Sequence, residues 1–472
     1  MTQSAQRFSP LDPSSTEPIY RQIYWRVRAA IADGVLQPGE RVPAVRALAK
    51  ELGLARGTVD SAYGLLTAEG YLQSRGQAGT VVAEGIYPTG LDGVVSHKAT
   101  LGELSTIRNT PTVLPFQMAL PALDAFPRKL WAQLSARCVR ATRVQDMANP
   151  SLYGLPSLRM EIARYLQVAR GIHCTPDQVF ITSGYRNAMT LIAHALLEPG
   201  DRVIIEDPGY VPTRQLLKHL GMQSVPVQVD GEGLQVAQVS QLAAGARAAV
   251  VTPAHQSPLC ISLSLPRRMA LLEWANRTQA WIIEDDYDGE YRYVSRPLPA
   301  LKSLDRGGRV IYAGTFSKVL FPGIRIGYLV VPDTQVKRFE HIGEVFLGSC
   351  PELTQAIVAT FMSEGHFSRH IQRMRSLYSE RRRATIEGLR RALDPHVNID
   401  QQPGGMHLIL RLPEHRDDSA LAEQLNNAGI YAEAMSDWHI EHNGSPGLLL
   451  GFANIPTEQD AELLGRRILQ FL

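Results

Sequence analysis

The sequence predicts an α/β domain with a mostly parallel sheet, preceded by a short helix-turn-helix unit that ends in a β-hairpin wing. Three observations carry this. Short apolar runs of buried-strand type recur at residues 179–182, 202–206, 248–252, 281–284, 310–313 and 328–331. Helical patterns at 155–170, 187–197 and 267–278 lie between several of them, the alternation that builds a parallel sheet. Residues 17–82 hold three short helical patterns followed by two β-prone runs around a glycine turn.

In chain order, the first helix carries Ile19, Ile23, Val27, Ala30 and Ile31 on one face and ends before Gly34 and Pro38-Gly39. A second runs from about 45 to 52 and stops at Gly53. A third, about 56 to 69, turns Val59, Ala62, Tyr63 and Leu66 inward. The hairpin is built from Tyr71-Leu72-Gln73 and Thr80-Val81-Val82. This gives a first domain over 13–82. Residues 83–113, rich in Gly, Pro, Ser and Thr, read as a linker, and 114–472 as the second domain. From about Phe339 that domain is expected to open on a long Arg-rich helix and end as a smaller α+β segment.

Composition sets the outer bounds. A chain of 472 residues has room for two to four domains, and 44% apolar with 20% charged residues is a soluble globular composition. A net charge of +2 does not exclude a local basic face. Cys138, Cys174, Cys260 and Cys350 are far apart with no CxxC pair, which argues for buried free thiols over metal ligation or a disulfide framework. The polar opening MTQSAQRFSP has no apolar core, and no apolar run reaches about 18 residues, so a cytoplasmic protein without membrane contact is expected.

The turn at Gly53-Leu54 places the start of the third helix, Arg56-Gly57-Thr58, where a recognition helix enters the major groove. Arg56 is suited to guanine, and the helix N-terminus to a phosphate. Arg46 opens the preceding helix and suits a phosphate contact. In the wing, Arg75 beside Gly76 suits the minor groove, with Gly79 and Thr80 allowing close backbone approach. Spacing alone leaves a small helical cap with surface arginines as the alternative. The run from Pro43 through Val45-Arg46, Leu48-Ala49, Leu52-Gly53, Arg56, Thr58-Val59, Ala62-Tyr63 and Leu66 to Glu69-Gly70 resembles the DNA-binding domain of the GntR family over nearly its full length. The resemblance implies a double-stranded operator as partner. Ala44 and Ala55 stand where hydroxyl residues often precede the two arginines.

In the second domain Gly314-Thr315-Phe316-Ser317-Lys318 follows a buried strand, and Arg325 comes seven residues later. A lysine at an apolar strand end loses its proton readily and forms an imine with an aldehyde. The Thr315 and Ser317 hydroxyls and the Arg325 fork suit a phosphate dianion. Glu284-Asp285-Asp286-Tyr287 ends another strand. A carboxylate there suits a pyridinium nitrogen, and the Tyr287 hydroxyl a ring phenolate oxygen. Gly184, Tyr185 and Arg186 open a helix whose N–H groups can face phosphate. Tyr210 offers an aromatic face for a ring to stack on.

The order and spacing of these pieces resemble a fold-type I aminotransferase from about 114 to 472, and the whole chain is similar to the MocR subfamily of GntR regulators. Thr252-Pro253-Ala254-His255-Gln256-Ser257-Pro258 and the run EDDYDGEYRY at 284–293 carry the subfamily likeness. The resemblance implies pyridoxal 5′-phosphate on Lys318, Asp285 at its pyridine nitrogen, Arg325 on its phosphate, and a homodimer. Two departures bear on chemistry. Leu449 stands where such aminotransferases carry an arginine that clamps a substrate carboxylate, which leaves Arg411 or another basic group to substitute. The segment from Tyr153 to Gly154 is shorter than the usual tyrosine-to-glycine spacing, so Tyr153 is not assigned a phosphate contact. Cys260 also replaces a common glycine. The implied function is a transcriptional regulator that senses an amine, an amino acid or the cofactor itself, with little or no net transamination. A working aminotransferase with an accessory DNA-binding domain is the alternative.

Overall fold

In the computed structural model the described residues are 11–12, 15–76, 79–85, 112–148, 150–242, 244–293, 299–346, 350–400, 404–440 and 444–472. Most of the expected linker, 86–111, lies outside them, as do residues 13–14 of the first domain and Gln77-Ala78 of the wing. Contacts divide the chain into two units, 1–109 and 110–472.

The first unit contains α1 (Ile19–Ala32), α2 (Val45–Leu52), α3 (Arg56–Ala68) and an antiparallel hairpin of β1 (Leu72–Ser74) and β2 (Thr80–Val82). Ile23, Val27, Ile31, Leu48, Val59, Ala62, Leu66 and Val82 close one apolar core. Gly53 adopts the left-handed conformation (φ 67°) that ends α2, so that Leu54 N–H reaches Ala49 O and the chain turns into α3. The Tyr63 hydroxyl donates to Pro43 O at 3.0 Å and ties α3 to the entry of α2. Ala44 and Ala55 are the N-caps of α2 and α3, and neither helix has a side-chain cap. That omission costs each helix about 1 kcal/mol.

The second unit is built on an eight-stranded sheet. Its strands are β3 (Val179–Thr182), β4 (Arg202–Asp207), β5 (Gln223–Asp230), β6 (Gly233–Leu234), β7 (Ala248–Val251), β8 (Trp281–Asp286), β9 (Val310–Thr315) and β10 (Gly327–Val330), in spatial order 3-10-9-8-7-4-5-6. The pairs from β9 through β8, β7 and β4 to β5 are parallel, whereas β10 runs antiparallel to β3 and β9. The six runs of apolar character are all strands. β5 and the short β6 lie outside them. Pro226 interrupts the β5 pattern, and it is tolerated because β6 pairs only with Val229 and Asp230, leaving the Pro226 position on an open edge.

The Arg-rich helix spans His366–Leu393, but it does not open the last stretch. Two shorter helices, Val336–Phe346 and Glu352–Ser363, come first. Pro351 is the N-cap of the second and Gly365, left-handed, precedes the long helix, so the chain is broken twice where one helix was expected. A four-stranded antiparallel sheet, β11 (Asn398–Ile399), β12 (His407–Arg411), β13 (Glu433–Ala434) and β14 (Gly447–Gly451) in order 11-12-14-13, completes the smaller subdomain. All four cysteines are free. Cys260 and Cys350 are buried as expected, whereas Cys138 and Cys174 are half-buried. Among the described residues no helix is long and apolar enough to cross a membrane.

Candidate functional site

The carboxyl end of β8 bears three acidic residues with different surroundings. Glu284, fully buried, accepts from the backbone N–H groups of Leu301 (2.7 Å) and Lys302 (2.8 Å). Asp286 accepts from Arg170 Nε at 2.7 Å and from the Tyr312 hydroxyl at 2.6 Å. Asp285 lies between them, 7% exposed, and lines a cleft with Tyr185, Glu206, Tyr210, Thr213, Arg214 and Trp438. Burial, then the charges of Asp286, Glu206 and Asp288, raise its carboxyl well above the usual range, against the pull of Lys318. Burial holds such a carboxyl neutral, and a cation beside it would restore its charge.

Lys318 follows β9, beside β8 in the sheet. Thr315 ends that strand, and its hydroxyl accepts the Ser317 N–H at 3.1 Å, fixing the turn that delivers the lysine. Lys318 is half-buried and donates to Ala119 O at 3.0 Å, outside the lining of the cleft. Burial pushes its ammonium down to about 8, although Asp288, Asp285 and Glu433 hold it up. Such an amine is partly neutral near neutrality and able to attack a carbonyl.

Gly184 is the N-cap of the helix Tyr185–Leu196, at φ 110° and ψ −176°, a conformation open essentially to glycine alone. A Cβ there would stand 3.8 Å from the Arg325 guanidinium. Arg325 is itself left-handed (φ 52°, ψ 42°) and exposed. The helix start has no side-chain cap and Arg325 lies close to it, a set of donors suited to a dianion. Tyr185 is half-buried with its hydroxyl 2.6 Å from Thr213 Oγ1, and Arg186 is exposed. Tyr210 caps the helix Val211–His219 and presents its ring to Tyr185 (5.6 Å between centroids) and Trp438 (5.9 Å). The Tyr287 hydroxyl lies 3.0 Å from His255 Nδ1.

Several neighbours of the cleft had no role in the sequence reading. Glu206, at the end of β4, accepts from Thr252 Oγ1 at 2.5 Å, and burial raises it to about 7. Arg214 stands four residues after Tyr210, one helical turn along, and that spacing was its only signal in the sequence. Trp438 comes from the distant smaller subdomain and had none. On β14, Leu448 and Leu450 face the subdomain core, whereas Leu449 faces an apolar group with Ile409, Met435 and Trp438. Arg411 is engaged by Asp400 at 2.8 Å. Tyr153 packs against Phe180.

In the first unit Arg46 and Arg56 are exposed in the opening turns of α2 and α3, and Thr58 is half-buried beside Arg56. In the wing Gly76 and Gly79 both have positive φ, and Arg75 N–H closes the turn onto Gly79 O. Thr80 begins β2. The Arg75 guanidinium is held by Glu84 at 2.6 Å, a partner with no signal in the sequence.

Residues 19–82 match the model of bacterial regulatory proteins of the gntR family, and residues 132–466 match that of aminotransferase class I and II. The chain is 35% identical to the probable rhizopine catabolism regulatory protein MocR of Rhizobium meliloti, over 94% of this chain and 92% of the relative. The chain belongs to the MocR-type regulators of the GntR family. This MocR-type chain is also 30% identical to the pyridoxine biosynthesis transcriptional regulator PdxR of Corynebacterium glutamicum, over 94% of each. Among solved structures, the multiple substrate aminotransferase of Thermococcus profundus superposes with a TM-score of 0.70 at 26% identity, over 80% of this chain and 97% of that one. The α-aminoadipate aminotransferase of Thermus thermophilus does so with 0.69 at 27%, over 78% and 95%. The MocR-type regulator is therefore a DNA-binding protein whose larger unit has the fold of fold-type I aminotransferases, a family to which pyridoxal phosphate belongs as cofactor.

Proposed function

We propose that this regulator holds pyridoxal 5′-phosphate on Lys318 and changes its affinity for operator DNA when an amine, an amino acid or the cofactor itself occupies the site. One observation carries the reading: Asp285 is a buried carboxyl that lines the cleft and acts on the charge of Lys318, its own proton affinity raised by burial and by the neighbouring carboxylates. The residues around Asp285 and Lys318 fit the cofactor, although only Asp285, Tyr185 and Tyr210 of them line the cleft. Asp285 would take the pyridinium nitrogen, Tyr287 the ring oxygen, and Tyr210 a ring face. Arg325, the Gly184–Tyr185–Arg186 helix start, Thr315 and Ser317 would take the phosphate. When bound, the cofactor supplies an aldehyde carbon and an electron-withdrawing ring.

On the DNA side, Arg56 and Thr58 would meet the major groove, Arg46 a phosphate, and Arg75, Gly76 and Thr80 the minor groove. A homodimer in the cytoplasm, on a two-fold operator, completes the reading. The apolar setting of Leu449 favours a sensor over a working aminotransferase, because a substrate carboxylate meets no arginine there. The test is a gel shift with the adjoining promoter, with and without pyridoxal phosphate and candidate amines, on protein whose absorbance is followed in parallel. A colourless protein that stays colourless with added cofactor overturns the cofactor reading. DNA affinity unmoved by any of these ligands overturns the sensor.

A further inference from the structure

His255 lies in the loop after β7, with its Nδ1 3.0 Å from Asp288 Oδ1 and 3.0 Å from the Tyr287 hydroxyl oxygen. His255 and Asp288 are 6% and 2% exposed, so these bonds are shielded from bulk solvent. The roles of donor and acceptor follow from chemistry. A carboxylate only accepts, so the bond to Asp288 puts a proton on Nδ1. Nδ1 then has no lone pair for the Tyr287 proton; its single N–H, held by Asp288, is at most shared with the phenol oxygen, which leaves the Tyr287 proton to be given elsewhere. With the opposite tautomer Nδ1 would take the Tyr287 proton and turn the phenol inward.

We propose that His255, fixed by Asp288, is a positioning residue that turns the Tyr287 hydroxyl toward the ring oxygen of the cofactor. This rests on the reading that Lys318 holds pyridoxal phosphate. Burial opposes a charge on His255, but Asp288 and Cys260 outweigh it and raise the imidazole well above its ordinary range, so Nδ1 keeps its proton near neutrality. Cys260, left-handed at φ 61°, couples to the imidazole and lies with its Sγ 3.2 Å from His407 Nε2. Asp285 and Lys318 face the corner from the cofactor side, with Ser257 against the phenol and Tyr293 and Arg382 behind Cys260. All of these residues remain in the variants below, and the double variant separates the effect through Tyr287 from any change in their charge.

A hydroxyl donated to the ring oxygen favours its anionic form and lowers the pH at which the visible band of the bound cofactor converts. The experiment titrates that band in wild type, His255→Leu, Tyr287→Phe and the double variant, all as full-length protein loaded with pyridoxal phosphate. His255→Leu should raise the midpoint by about one pH unit, the scale of one charge-assisted hydrogen bond. Tyr287→Phe should raise it at least as much, and the double variant no further. His255→Asn, whose amide nitrogen overlays Nδ1, should restore most of the wild-type midpoint. If the leucine variant does not accumulate, His255→Gln, which leaves the Nδ1 place bare, takes its position in the cycle. A His255→Leu shift that persists undiminished in the Tyr287→Phe background overturns the proposal, because it would be a direct charge effect. An unchanged midpoint in the His255 variants overturns it as well. A wild type with no band at all overturns the cofactor reading instead, so the two failures are distinct.

Discussion

The Arg325 guanidinium lies 3.8 Å from the point where a side chain on Gly184 would begin, and both residues have a backbone of positive φ. Two such residues meeting at one spot mark a place where geometry is held for binding rather than for stability. Gly184→Ala should therefore weaken pyridoxal phosphate binding at least tenfold and cost about 1–3 kcal/mol of stability. Fluorescence titration and thermal unfolding read the two effects. Arg325→Ala should weaken binding of pyridoxal phosphate but leave that of pyridoxal, which lacks the phosphate, nearly unchanged.

Lys318→Ala should abolish the visible band of the loaded protein. In wild type the neutral amine is the reacting form, and its fraction grows as pH rises through about 8. The rate of cofactor loading, followed by stopped-flow absorbance, should thus rise between pH 7 and 9 and then level off. A loading rate independent of pH over that window would show that the amine is not the group that limits reaction.

Glu206 gives a stability prediction with a definite sign. Its carboxyl sits at about 7 in the folded protein and near 4.5 when unfolded. Below pH 4.5 both states are protonated and there is no effect. Between 4.5 and 7 the unfolded chain ionises first, so the native state loses stability as pH rises, and above 7 the full penalty is present. Glu206→Gln keeps an acceptor for Thr252 and removes the charge. In cofactor-free protein it should be stabilising by about 1–3 kcal/mol at pH 8 and nearly neutral at pH 4.5, read by denaturant unfolding at the two values.

Arg56→Ala should cost about 1–3 kcal/mol in operator affinity without altering cofactor absorbance. Arg75→Ala should cost less, because in the free protein its guanidinium is already engaged by Glu84. Glu84→Gln should then strengthen DNA binding by freeing the wing arginine. Gel shifts at fixed salt compare the three, and an Arg56 variant that binds as wild type would move the DNA surface elsewhere.

Ordinary α-amino acids should be transaminated slowly or not at all. Orientation of the reacting bond needs the carboxylate fixed, and misplacement of about 1 Å can cost a hundredfold in rate. Leu449 lies among Ile409, Met435 and Trp438, with Glu433 directly opposite it across the β13–β14 pair. Arg214 is the cation of the cleft lining, so Arg214→Ala should lower whatever residual rate exists. Turnover of roughly 1 per second or faster with a keto-acid acceptor would make the protein an enzyme.

Much of this architecture was legible because the physics behind it is local. A strand buried on both faces needs a continuous apolar run, and β7 (AAVV) and β3 (VFIT) have one. β5 escaped notice because its edge position tolerates Pro226 and polar neighbours. The Arg-rich helix was placed too early because charge marks a solvated face wherever it lies, while the breaks at Pro351 and Gly365 define its true start. Lys318, Asp285 and Arg325 stood out through their strand-end settings. Arg214 and Trp438 did not, and His255 was legible only as part of the 252–258 run and without a role, because their importance arises only when loops from β7, β4 and the smaller subdomain converge. No spacing along the chain encodes that Glu433 would lie opposite Leu449.

The three carboxylates in succession on β8 have a consequence for the lifetime of the protein. Glu284 and Asp286 have donors from the scaffold, whereas Asp285 is raised by burial and by its carboxylate neighbours, a cost that a pyridinium nitrogen beside it would offset. On the proposed binding of the cofactor, folding and cofactor supply are linked by mass action: each tenfold rise in free cofactor above its dissociation constant would add about 1.4 kcal/mol to the native state. A cell short of pyridoxal phosphate would carry a regulator that opens more often and is degraded sooner. Vitamin status would be written into the abundance of the protein as well as into its grip on DNA.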